Sequence, residues 1–439
     1  MAGQRTPDPT DRTTDRTVVL DRYDRHVNRS LARLARLLDA PVEIRSAGSK
    51  VYGAGGEEYL DCGGFGVFLL GHSHPVVVEA VRRQLDAHPL ATRLFLNPQL
   101  AEAAAALAGV APAGLDYVFL TNSGAEAVEV GIKLARLNGK TRILAMDGGF
   151  HGKTMGALSV TGRPQYRDPF RPLLPDVEFV PFGDAAALDA ALARDGAGGH
   201  RTAVILEPVQ AEGGVNIPPP GYLGHVRDAC TRTGAMLVLD EIQSGLGRLG
   251  TWWGADAEAV SPDVLLTGKI LGGGVMPVGG VVATAAAFAP LNEDPLLHSS
   301  TFAGSPLAAA AVTATLGVIQ DENLVERSAH LGRVVLGLVR SVVAYHCPDL
   351  VREVRGRGLL VGIEFLSSDL ATEFMMGLVE RRVIPSYSLN CHRVLRLTPP
   401  AILDDDDLDW LAAALTGAAR ELASNAQPLE VSCALSSSI

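Results

Sequence analysis

Three features are scarce in this sequence, and each scarcity excludes a class of protein. No run of about 18 uncharged apolar residues occurs, so the sequence predicts no membrane-spanning helix. Positive charge is outnumbered, with 38 Lys and Arg against 49 Asp and Glu, which argues against a nucleic-acid-binding domain. The 5 cysteines are scattered and never form a C-x-x-C pair, which is typical of reduced thiols. The polar N-terminus has no apolar signal core, so we expect a cytoplasmic protein.

The composition is that of a globular protein with an unusual start. The chain has 439 residues, of which 47% are hydrophobic, and this length predicts about two or three domains. The first thirty residues alternate acidic and basic charges with threonines. We interpret them as a solvated, partly disordered arm, with a first helix beginning near Ser30.

Short apolar runs alternate with helical stretches through the middle of the chain. The runs are Tyr117–Thr121, Ile143–Met146, Val177–Val180, Ala203–Glu207, Met236–Asp240, Val264–Thr267 and Gly279–Thr284. The helical stretches between them include Ala125–Leu137, Ala185–Arg194 and Tyr222–Thr233. Near-continuous apolar strands that alternate with helices predict an α/β fold whose mostly parallel sheet is covered on both faces. Seven strands are too many for one mononucleotide-binding half and do not match a closed eight-stranded barrel.

After Ser305 the pattern changes to long helices, at Pro306–Gln320 and Asn323–Tyr345. A strand-like segment, Leu359–Phe365, and a final helix from Leu408 follow them. This pattern predicts a second, smaller α+β domain. The predicted division is residues 1–40 for the charged arm and first helix, 41–90 for the N-terminal part of the small domain, 91–305 for the large domain and 306–439 for the rest of the small domain.

The ends of the first two strands carry candidate ligand-binding residues, because ligands of open parallel sheets bind beyond the carboxyl ends of the strands. After the first strand, Asn122–Ala127 opens a helix with small residues that offer free N–H groups to an anion. The alternative is that Ser123 serves only as an ordinary helix N-cap. After the second strand, Phe150 stands on a glycine-rich loop, where it either stacks on a flat ligand or fills the loop.

A carboxylate and a lysine stand at the ends of two later strands. The buried strand Met236–Asp240 ends in an acid, which is costly unless it is paired in a salt bridge or serves a cationic ligand group. Lys269 ends the next strand, 29 residues later, so we expect it to lie close to Asp240. A partly desolvated lysine has a lowered pKa and can form a Schiff base, whereas the alternative is an ordinary surface lysine.

Other motifs match known ligand-binding or catalytic patterns only in part, and we interpret them as having no such role. The segment Gly245–Gly250 matches G-x-G-x-x-G, but Asp240 and Glu241 stand where a pyrophosphate would approach, and no helical pattern follows. The two histidines within Gly71–Pro75 lack a third ligand, and the acids Asp404–Asp407 are explained as the start of the last helix. We therefore predict no metal site. No G-x-S-x-G motif occurs to support a serine hydrolase.

A phosphate cup, a stacking aromatic ring, an acid for a ring cation and an imine-forming lysine are together what pyridoxal phosphate needs. From about Val42 to the final helix, the sequence resembles the class III aminotransferases, the subgroup II branch of fold type I pyridoxal-phosphate enzymes. The motifs that carry this resemblance are Asn-Ser-Gly-Ala-Glu-Ala (122–127), Phe-His-Gly-Lys-Thr (150–154), Glu-Pro-Val-Gln-Ala-Glu-Gly-Gly (207–214), Leu-Asp-Glu-Ile-Gln-Ser-Gly (239–245), Thr-Gly-Lys (267–269) and Thr-Phe-Ala-Gly-Ser-Pro (301–306). Within the family, Asp61–Gly66, Pro218–Tyr222 and Gly272–Pro277 look most like the putrescine (diamine) aminotransferases.

The resemblance implies a role for each motif. Lys269 would carry the cofactor covalently and move the proton at the substrate's α-carbon, while Asp240 would keep the pyridine nitrogen protonated. The other implied cofactor-binding residues are Ser123, Gly124, Ala125 and Thr301 at the phosphate, Gln243 at the ring hydroxyl, Phe150 at the ring face, and His151 and Glu207 nearby. The resemblance also implies a homodimer or higher assembly with shared active sites, in which Thr301 reaches in from the other subunit.

The resemblance also implies substrate-binding residues. Glu212 and Arg396 match a switching pair, in which the arginine binds the α-carboxylate of an oxo acid and the glutamate neutralises it when an amine enters. Lys153 stands where ornithine enzymes have an arginine for a distal carboxylate, and a lysine grips such a group less firmly. Phe65 would belong to an apolar pocket for a longer amine.

The implied function is that of an ω-aminotransferase. It would move an amino group between a primary amine or diamine and an oxo acid, such as 2-oxoglutarate or pyruvate, in a ping-pong cycle. The alternatives are acetylornithine or ornithine-type substrates, or an aldehyde intermediate of a specialised biosynthetic pathway. A regulatory aminotransferase-like protein is disfavoured, because the roughly forty residues before the family region have no helix-turn-helix pattern. We expect no nucleic-acid or membrane partner.

Overall fold

The computed structural model describes residues 14–92, 94–194 and 200–426. The α-helices of this part of the chain are α1 (Arg16–Arg22), α2 (Arg29–Leu37), α3 (Pro75–Ala87), α4 (Pro98–Val110), α5 (Gly124–Leu137), α6 (Met155–Val160), α7 (Pro164–Arg167), α8 (Ala185–Ala193), α9 (Tyr222–Thr233), α10 (Ala285–Glu293), α11 (Pro306–Asp321), α12 (Leu324–His346), α13 (Ser368–Glu380) and α14 (Asp405–Ala426).

The strands are β1 (Glu43–Ala47), β2 (Lys50–Gly53), β3 (Glu58–Asp61), β4 (Leu115–Thr121), β5 (Arg142–Met146), β6 (Val177–Val180), β7 (Thr202–Leu206), β8 (Met236–Asp240), β9 (Val264–Thr267), β10 (Gly279–Thr284), β11 (Val351–Arg357), β12 (Leu360–Phe365), β13 (Val383–Ile384), β14 (Ser386–Ser388) and β15 (Cys391–Leu397). They form one seven-stranded and two four-stranded sheets.

The seven-stranded sheet is the structural centre and confirms the predicted α/β fold. Its order is β4-β10-β9-β8-β7-β5-β6, and only β10 runs antiparallel to its two neighbours. Both faces are covered, because alternate residues of one strand enter different cores. Ile143 and Ala145 pack with α5 and α10, whereas Leu144 and Met146 pack with α8 and α9 on the opposite face. Such two-sided burial explains why these strands are apolar without interruption.

The two smaller sheets join segments that are distant in sequence. One sheet has the order β1-β2-β3-β13, in which the C-terminal strand β13 pairs in parallel with β3 through Val383 and Leu60. The other has the order β11-β12-β15-β14, and α13 and α14 pack together beside it. This arrangement fits the predicted small α+β domain built from both ends of the chain, although the predicted domain boundaries themselves stay a prediction.

The helix predicted near Ser30 is confirmed, because α2 begins at Arg29, but the prediction that it is the first helix is wrong. Helix α1 begins at Arg16, a π-helical turn covers Tyr23–Val27, and α2 follows. Asp15 caps α1 by accepting bonds from the N–H groups of the next turn, and Arg16 ties α1 back to α2 through the carbonyl of Ala35. Sequence reasoning missed this segment because its charges are solvated while the helix is fixed by a cap and by tertiary bonds. Residues 1–13 of the predicted arm lie outside the described residues.

The glycine-rich segment and the acidic run, which we interpreted as having no binding role, have structural explanations. Gly245–Gly250 forms a series of turns, and the next element is a short 3-10 helix at Gly254–Glu258 rather than an α-helix. The final helix begins at Asp405, so the acids Asp404–Asp407 do form its start, three residues before the Leu408 at which its pattern was predicted to begin. Asp407 accepts a 2.7 Å bond from the Ser49 hydroxyl. Within the described ranges no group of side chains could hold a metal ion, and no helix is long and apolar enough to span a membrane.

The described cysteines are free thiols. Cys62, Cys230 and Cys347 are buried, while Cys391 is half-buried at the start of β15. Burial raises the pKa of Cys230 to about 12 and that of Cys347 to about 11, so both stay protonated. These thiols fit the predicted reduced, structural cysteines, and Cys433 lies outside the described residues.

Candidate active site

A cavity of about 230 Å³ lies at the carboxyl ends of the parallel strands, as predicted from the open sheet. Its lining residues are Gly124, Ala125, Phe150, His151, Gly152, Glu207, Glu212, Asp240, Ile242, Gln243 and Lys269. A larger cleft of about 460 Å³ lies at the amino ends of β8 and β9. Its charged groups, Arg227 and Asp263, already pair with each other at 3.1 Å, so the smaller cavity is the better candidate.

A buried acid–histidine pair forms the floor of this cavity. Asp240, at the end of β8, contacts the ring of His151 with 2.7 Å between Oδ2 and Nδ1. The other Asp240 oxygen accepts a bond from the N–H of Ile242. Burial lowers the pKa of His151, but the hydrogen bond and charge of Asp240 outweigh this effect and raise it. The Nε2 atom of His151 has no partner among the described residues. The pair therefore holds a carboxylate that a cationic ligand group can approach.

Lys269 stands beside this pair in a strained backbone conformation. It follows β9 and the extended Gly268, and its φ of 45° lies in the left-handed region that side-chain-bearing residues rarely adopt. Burial lowers the pKa of the Lys269 ammonium, and the charge of Arg396 adds to this effect against the opposing charges of Glu212 and Asp240. A lysine with a lowered pKa has more of the neutral amine that acts as a nucleophile. Asp240 and Lys269 are thus brought together as predicted.

The start of α5 forms a candidate anion site at the cavity wall. Ser123 caps the helix by accepting a 3.2 Å bond from the N–H of Glu126, and Gly124 and Ala125 form the first turn. The first N–H groups of a helix have no intrahelical acceptor and point toward negative charge. The chain approaches closely here, because a Cβ on Gly279 would lie 2.4 Å from the Ser123 carbonyl oxygen. Ser123 is therefore an N-cap, and its part in a phosphate cup stays a prediction.

Two more polar side chains at the cavity are unusual. Gln243 is buried, and neither its Oε1 nor its Nε2 has a hydrogen-bond partner among the described residues. Burial raises the pKa of Glu207 to about 8, even though it accepts a 3.1 Å bond from the N–H of Phe150. Glu207 is therefore largely protonated at neutral pH, and Gln243 has donor and acceptor capacity available for a ligand.

A buried ion pair joins β15, in a small sheet, to the segment that follows β7 of the large sheet. Nη1 of Arg396 is 2.8 Å from Oε1 of Glu212, and the two side chains are 1% and 6% exposed. Arg396 is held by β15, which pairs with β12 opposite Gly362. Oε2 of Glu212 accepts a 2.9 Å bond from the N–H of Leu389. The predicted Glu212 and Arg396 pair is thus in contact, and Glu212 also lines the cavity with Lys269.

The comparisons with known proteins agree with this geometry. The sequence profile of the family described as Aminotransferase class-III matches residues 38–418. The chain belongs to the class III aminotransferases. Among solved structures, the ornithine aminotransferase of Toxoplasma gondii is 30% identical, with a TM-score of 0.83, and the match covers 93% of this chain and 98% of that chain.

Two other solved transaminases are similar. An (S)-enantioselective omega-transaminase from Thermomicrobium roseum is 28% identical, with a TM-score of 0.84 and coverage of 92% of this chain and 98% of that chain. A transaminase from the marine bacterium Virgibacillus is 27% identical, with a TM-score of 0.82 and coverage of 88% and 94%. These matches span both the large sheet and the smaller ones.

The cofactor of this class III aminotransferase is pyridoxal phosphate, and the cavity fits it. The helix start at Gly124 suits its phosphate, the free amide of Gln243 suits its ring hydroxyl, and the carboxylate of Asp240 suits its ring nitrogen. Lys269 stands within the same cavity. The unpartnered polar atoms of Gln243 and His151 are the observations that call for a polar ligand here.

Five of the predicted site residues do not line the cavity in the described part of the chain: Ser123, Arg396, Phe65, Thr301 and Lys153. Ser123 caps α5 and Arg396 pairs with Glu212, so both lie next to residues that do line it. Phe65 is 73% exposed, and Thr301 is also exposed, on the loop before α11. Lys153 is exposed and lies over the ring of Tyr166, with Nζ 4.6 Å from the ring centre. Their predicted roles at the substrate and at the phosphate stay predictions.

The structure adds two charged residues that sequence reasoning left without a role. Glu241 accepts 2.9 Å bonds from the N–H groups of Gly254 and Ala255, and burial raises its pKa to about 7. Glu241 therefore fixes the loop that carries Gln243.

Arg248, within the G-x-G-x-x-G segment, is fully buried. It donates to the carbonyls of Gly66, Leu359 and Pro399, and burial, together with the charge of Arg396, lowers its pKa to about 9. The only sequence signal was a charged residue inside an otherwise small and apolar motif.

Proposed function

We propose that this class III aminotransferase moves an amino group between a primary amine or diamine, putrescine-like in size, and an oxo acid such as 2-oxoglutarate or pyruvate. The observation that carries the proposal is the buried pair of Glu212 and Arg396 beside Lys269. A site that must accept an oxo acid and an amine in turn needs a cation for one substrate and a means of neutralising it for the other.

The cofactor-binding residues divide the chemistry among them. When bound, pyridoxal phosphate supplies an electron sink for the electron pair left at the substrate's α-carbon. Lys269 would hold the cofactor and would move the proton at the substrate's α-carbon, for which its lowered pKa suits it. Asp240, oriented by His151, holds the positive charge of the ring nitrogen.

The remaining contacts orient the cofactor. Ser123, Gly124 and Ala125, at the start of α5, would hold the phosphate, and the unpartnered amide of Gln243 would bond the ring hydroxyl. Phe150 covers a face of the ring, and Glu207 supports the site as a protonated acid. In a homodimer or higher assembly with shared active sites, Thr301 of the second subunit adds a hydroxyl to the phosphate site.

Glu212 and Arg396 discriminate between the two substrates. For an amine without an α-carboxylate, Glu212 keeps Arg396 paired, as in the described structure. For an oxo acid, Glu212 leaves Arg396, and the substrate's α-carboxylate takes its place. Arg396 is thus never left as a buried unpaired charge, which would cost several kcal/mol.

The choice of a diamine rests on Lys153 in place of an arginine and on the exposed ring of Phe65. Lys153 is exposed over the ring of Tyr166 and does not line the cavity, and an ammonium grips a distal carboxylate less firmly than the guanidinium of the ornithine enzymes. Phe65 offers an exposed apolar surface for a longer amine. Ornithine or acetylornithine substrates, or an aldehyde of a specialised biosynthetic pathway, fit the same site equally, and the Toxoplasma gondii neighbour is an ornithine aminotransferase.

A half-reaction screen tests the proposal. Candidate amines are added singly to the purified enzyme, and the absorbance band of lysine-bound pyridoxal phosphate is followed as the cofactor accepts the amino group. We expect putrescine to convert the band and either 2-oxoglutarate or pyruvate to restore it. Conversion by ornithine or acetylornithine but not by putrescine or cadaverine would reject the diamine and favour the alternative.

The variant Lys269→Ala tests the catalytic assignment. It should lack the band of the covalently bound cofactor and all transamination, because no other amine replaces Nζ. Lys133→Ala is the matched control, since Lys133 is an exposed lysine on α5 that contacts His298. An unchanged band in Lys269→Ala would contradict the proposed function.

A further inference from the structure

The turn between β14 and β15 ties the small sheet to the large one beside Glu212. The side-chain amide of Asn390 donates to the carbonyls of Gly148 and Gly149, at 2.8 and 3.1 Å. Within the same turn, the N–H of Leu389 donates to the Glu212 carboxylate at 2.9 Å. Arg396 lies on β15, directly after this turn. One hairpin thus carries both groups that contact the Glu212 carboxylate.

The peptide unit that joins Leu389 to Asn390 is held from both sides. Its N–H, from Asn390, donates to the backbone carbonyl of Glu212 at 2.9 Å. Its carbonyl, from Leu389, accepts a 2.8 Å bond from the hydroxyl of Tyr166. Anchoring this peptide restricts where the preceding Leu389 N–H points, because only the two soft dihedral angles of Leu389 lie between the two peptide units.

Tyr166 reaches this turn from a different part of the fold. It lies on the short helix α7, which follows β5 and α6 in the large domain, 223 residues before Leu389. Its ring lies under the Lys153 ammonium, and its hydroxyl is partly buried at the turn. None of its atoms lines the cavity, so any effect on catalysis must pass through the turn.

We infer that Tyr166 is a positioning residue that sets how firmly Glu212 stays paired with Arg396. The inference rests on the proposed function of that pair. The Tyr166 hydroxyl fixes the turn, the turn fixes the Leu389 N–H, and this N–H holds one oxygen of Glu212 while the other oxygen contacts Arg396. The enzyme thereby favours the paired state, which accepts an amine, over the open state, which accepts an oxo acid.

The variant Tyr166→Phe removes the hydroxyl and keeps the ring under Lys153. Loss of one such bond should raise the KM for the amine donor by roughly 2- to 12-fold, since a net hydrogen bond of ordinary strength corresponds to that range. The KM for the oxo acid should stay the same or fall, because Glu212 leaves Arg396 more easily. The absorbance of the bound cofactor should not change.

Tyr387→Phe is the matched control on the same hairpin. The Tyr387 hydroxyl bonds Thr372 at 2.9 Å and does not contact the turn at Leu389. If the hairpin acts only as a structural support, both variants should lower the thermal stability and change both KM values alike. That outcome would overturn the inference.

The Glu212→Ala background provides the decisive comparison. If Tyr166 acts through Glu212, Tyr166→Phe should have no further effect on either KM once Glu212 is absent. An effect of equal size in both backgrounds would refute the inference.

A binding measurement separates failure of the inference from failure of the proposed function. Glutarate, a dicarboxylate, is titrated calorimetrically into the cofactor-bound enzyme, so no turnover is needed. The Tyr166→Phe variant should bind glutarate roughly 2- to 12-fold more tightly than the wild type. In the Glu212→Ala background, Tyr166→Phe should leave the affinity for glutarate unchanged. If this pattern of glutarate binding appears but no amine or oxo acid converts the cofactor, the proposed substrates are wrong and the role of Tyr166 stands. If Tyr166→Phe leaves the Kd for glutarate unchanged, that role is overturned.

Discussion

Replacing Glu212 by alanine would leave the Arg396 guanidinium buried without a counter-charge. Both side chains are almost fully buried, and Glu212 is the only carboxylate within ion-pair distance of Arg396 among the described residues. Removing one member of a buried pair typically costs about 3 to 5 kcal/mol. We therefore expect Glu212→Ala to unfold at a markedly lower temperature than the wild type, with slower reaction of amines.

A dicarboxylate should reverse this loss. In the wild type, glutarate must displace Glu212 from Arg396, whereas in Glu212→Ala the guanidinium is already free. If the displaced interaction is worth about 1.5 to 3 kcal/mol, as for hydrogen bonds to charged groups, glutarate should bind the variant roughly 10- to 150-fold more tightly. Saturating glutarate should then raise the unfolding temperature of the variant more than that of the wild type.

The assay is thermal unfolding of the cofactor-bound enzyme with and without glutarate, together with calorimetric titration. Glu212→Gln is the control, because it keeps the shape and an acceptor for the Leu389 N–H while removing the charge. It should fall between the wild type and Glu212→Ala. Equal stability of wild type and Glu212→Ala, with equal glutarate affinity, would refute the argument that Glu212 serves as the counter-charge of Arg396.

Three further predictions concern the cofactor site and the core. Folding raises the pKa of Glu207 from 4.5 to about 8, so the folded state binds the proton more tightly and this group's stabilising contribution is lost as pH rises between those values. In the cofactor-free enzyme, Glu207→Gln should therefore flatten the fall of unfolding temperature over that range, and an unchanged profile would contradict the shifted pKa. Gly66→Ala should weaken cofactor binding, because the new Cβ would lie 2.0 Å from Nε2 of Gln243, on a residue whose φ is 73°. Titration of the cofactor-free enzyme with the cofactor measures this effect, and an unchanged affinity would argue against Gln243 as a ligand. Trp253→Phe should lower the free energy of unfolding by about 1 kcal/mol or more, because its indole N–H donates to the carbonyl of Val110 at 2.6 Å, and chemical denaturation showing no loss would reject that contribution.

Local sequence patterns were sufficient for the large domain. The apolar strands Met236–Asp240 and Val264–Thr267 and the helix Tyr222–Thr233 were predicted with the bounds that the structure has. Strands buried on both faces are apolar throughout, and amphipathic helices repeat every 3.6 residues, so both leave a signal within a few neighbouring residues. Motifs at strand ends then identified Asp240 and Lys269, because all carboxyl ends of parallel strands meet at one edge.

Local sequence patterns did not predict the conformation where hydrogen bonds between distant segments determine it. Helix α1 depends on a cap and on the bonds of Arg16 to the next helix, and a charged, threonine-rich segment does not predict such bonds. The exposed positions of Lys153 and Phe65 were likewise not predictable, because the exposure of a side chain depends on residues brought together from elsewhere in the chain.

The sequence alone therefore determined the fold class, the family and the cofactor, and it predicted Asp240 and Lys269 as the pair at the centre of the chemistry. Only the tertiary structure decided how charge is arranged around them. It alone shows His151 against Asp240, the burial that raises the pKa of Glu207 to about 8, and the Leu389 N–H that donates to Glu212 beside Arg396. These features depend on burial and on backbone N–H groups from residues as much as 177 positions apart, and neither leaves a local mark in the sequence.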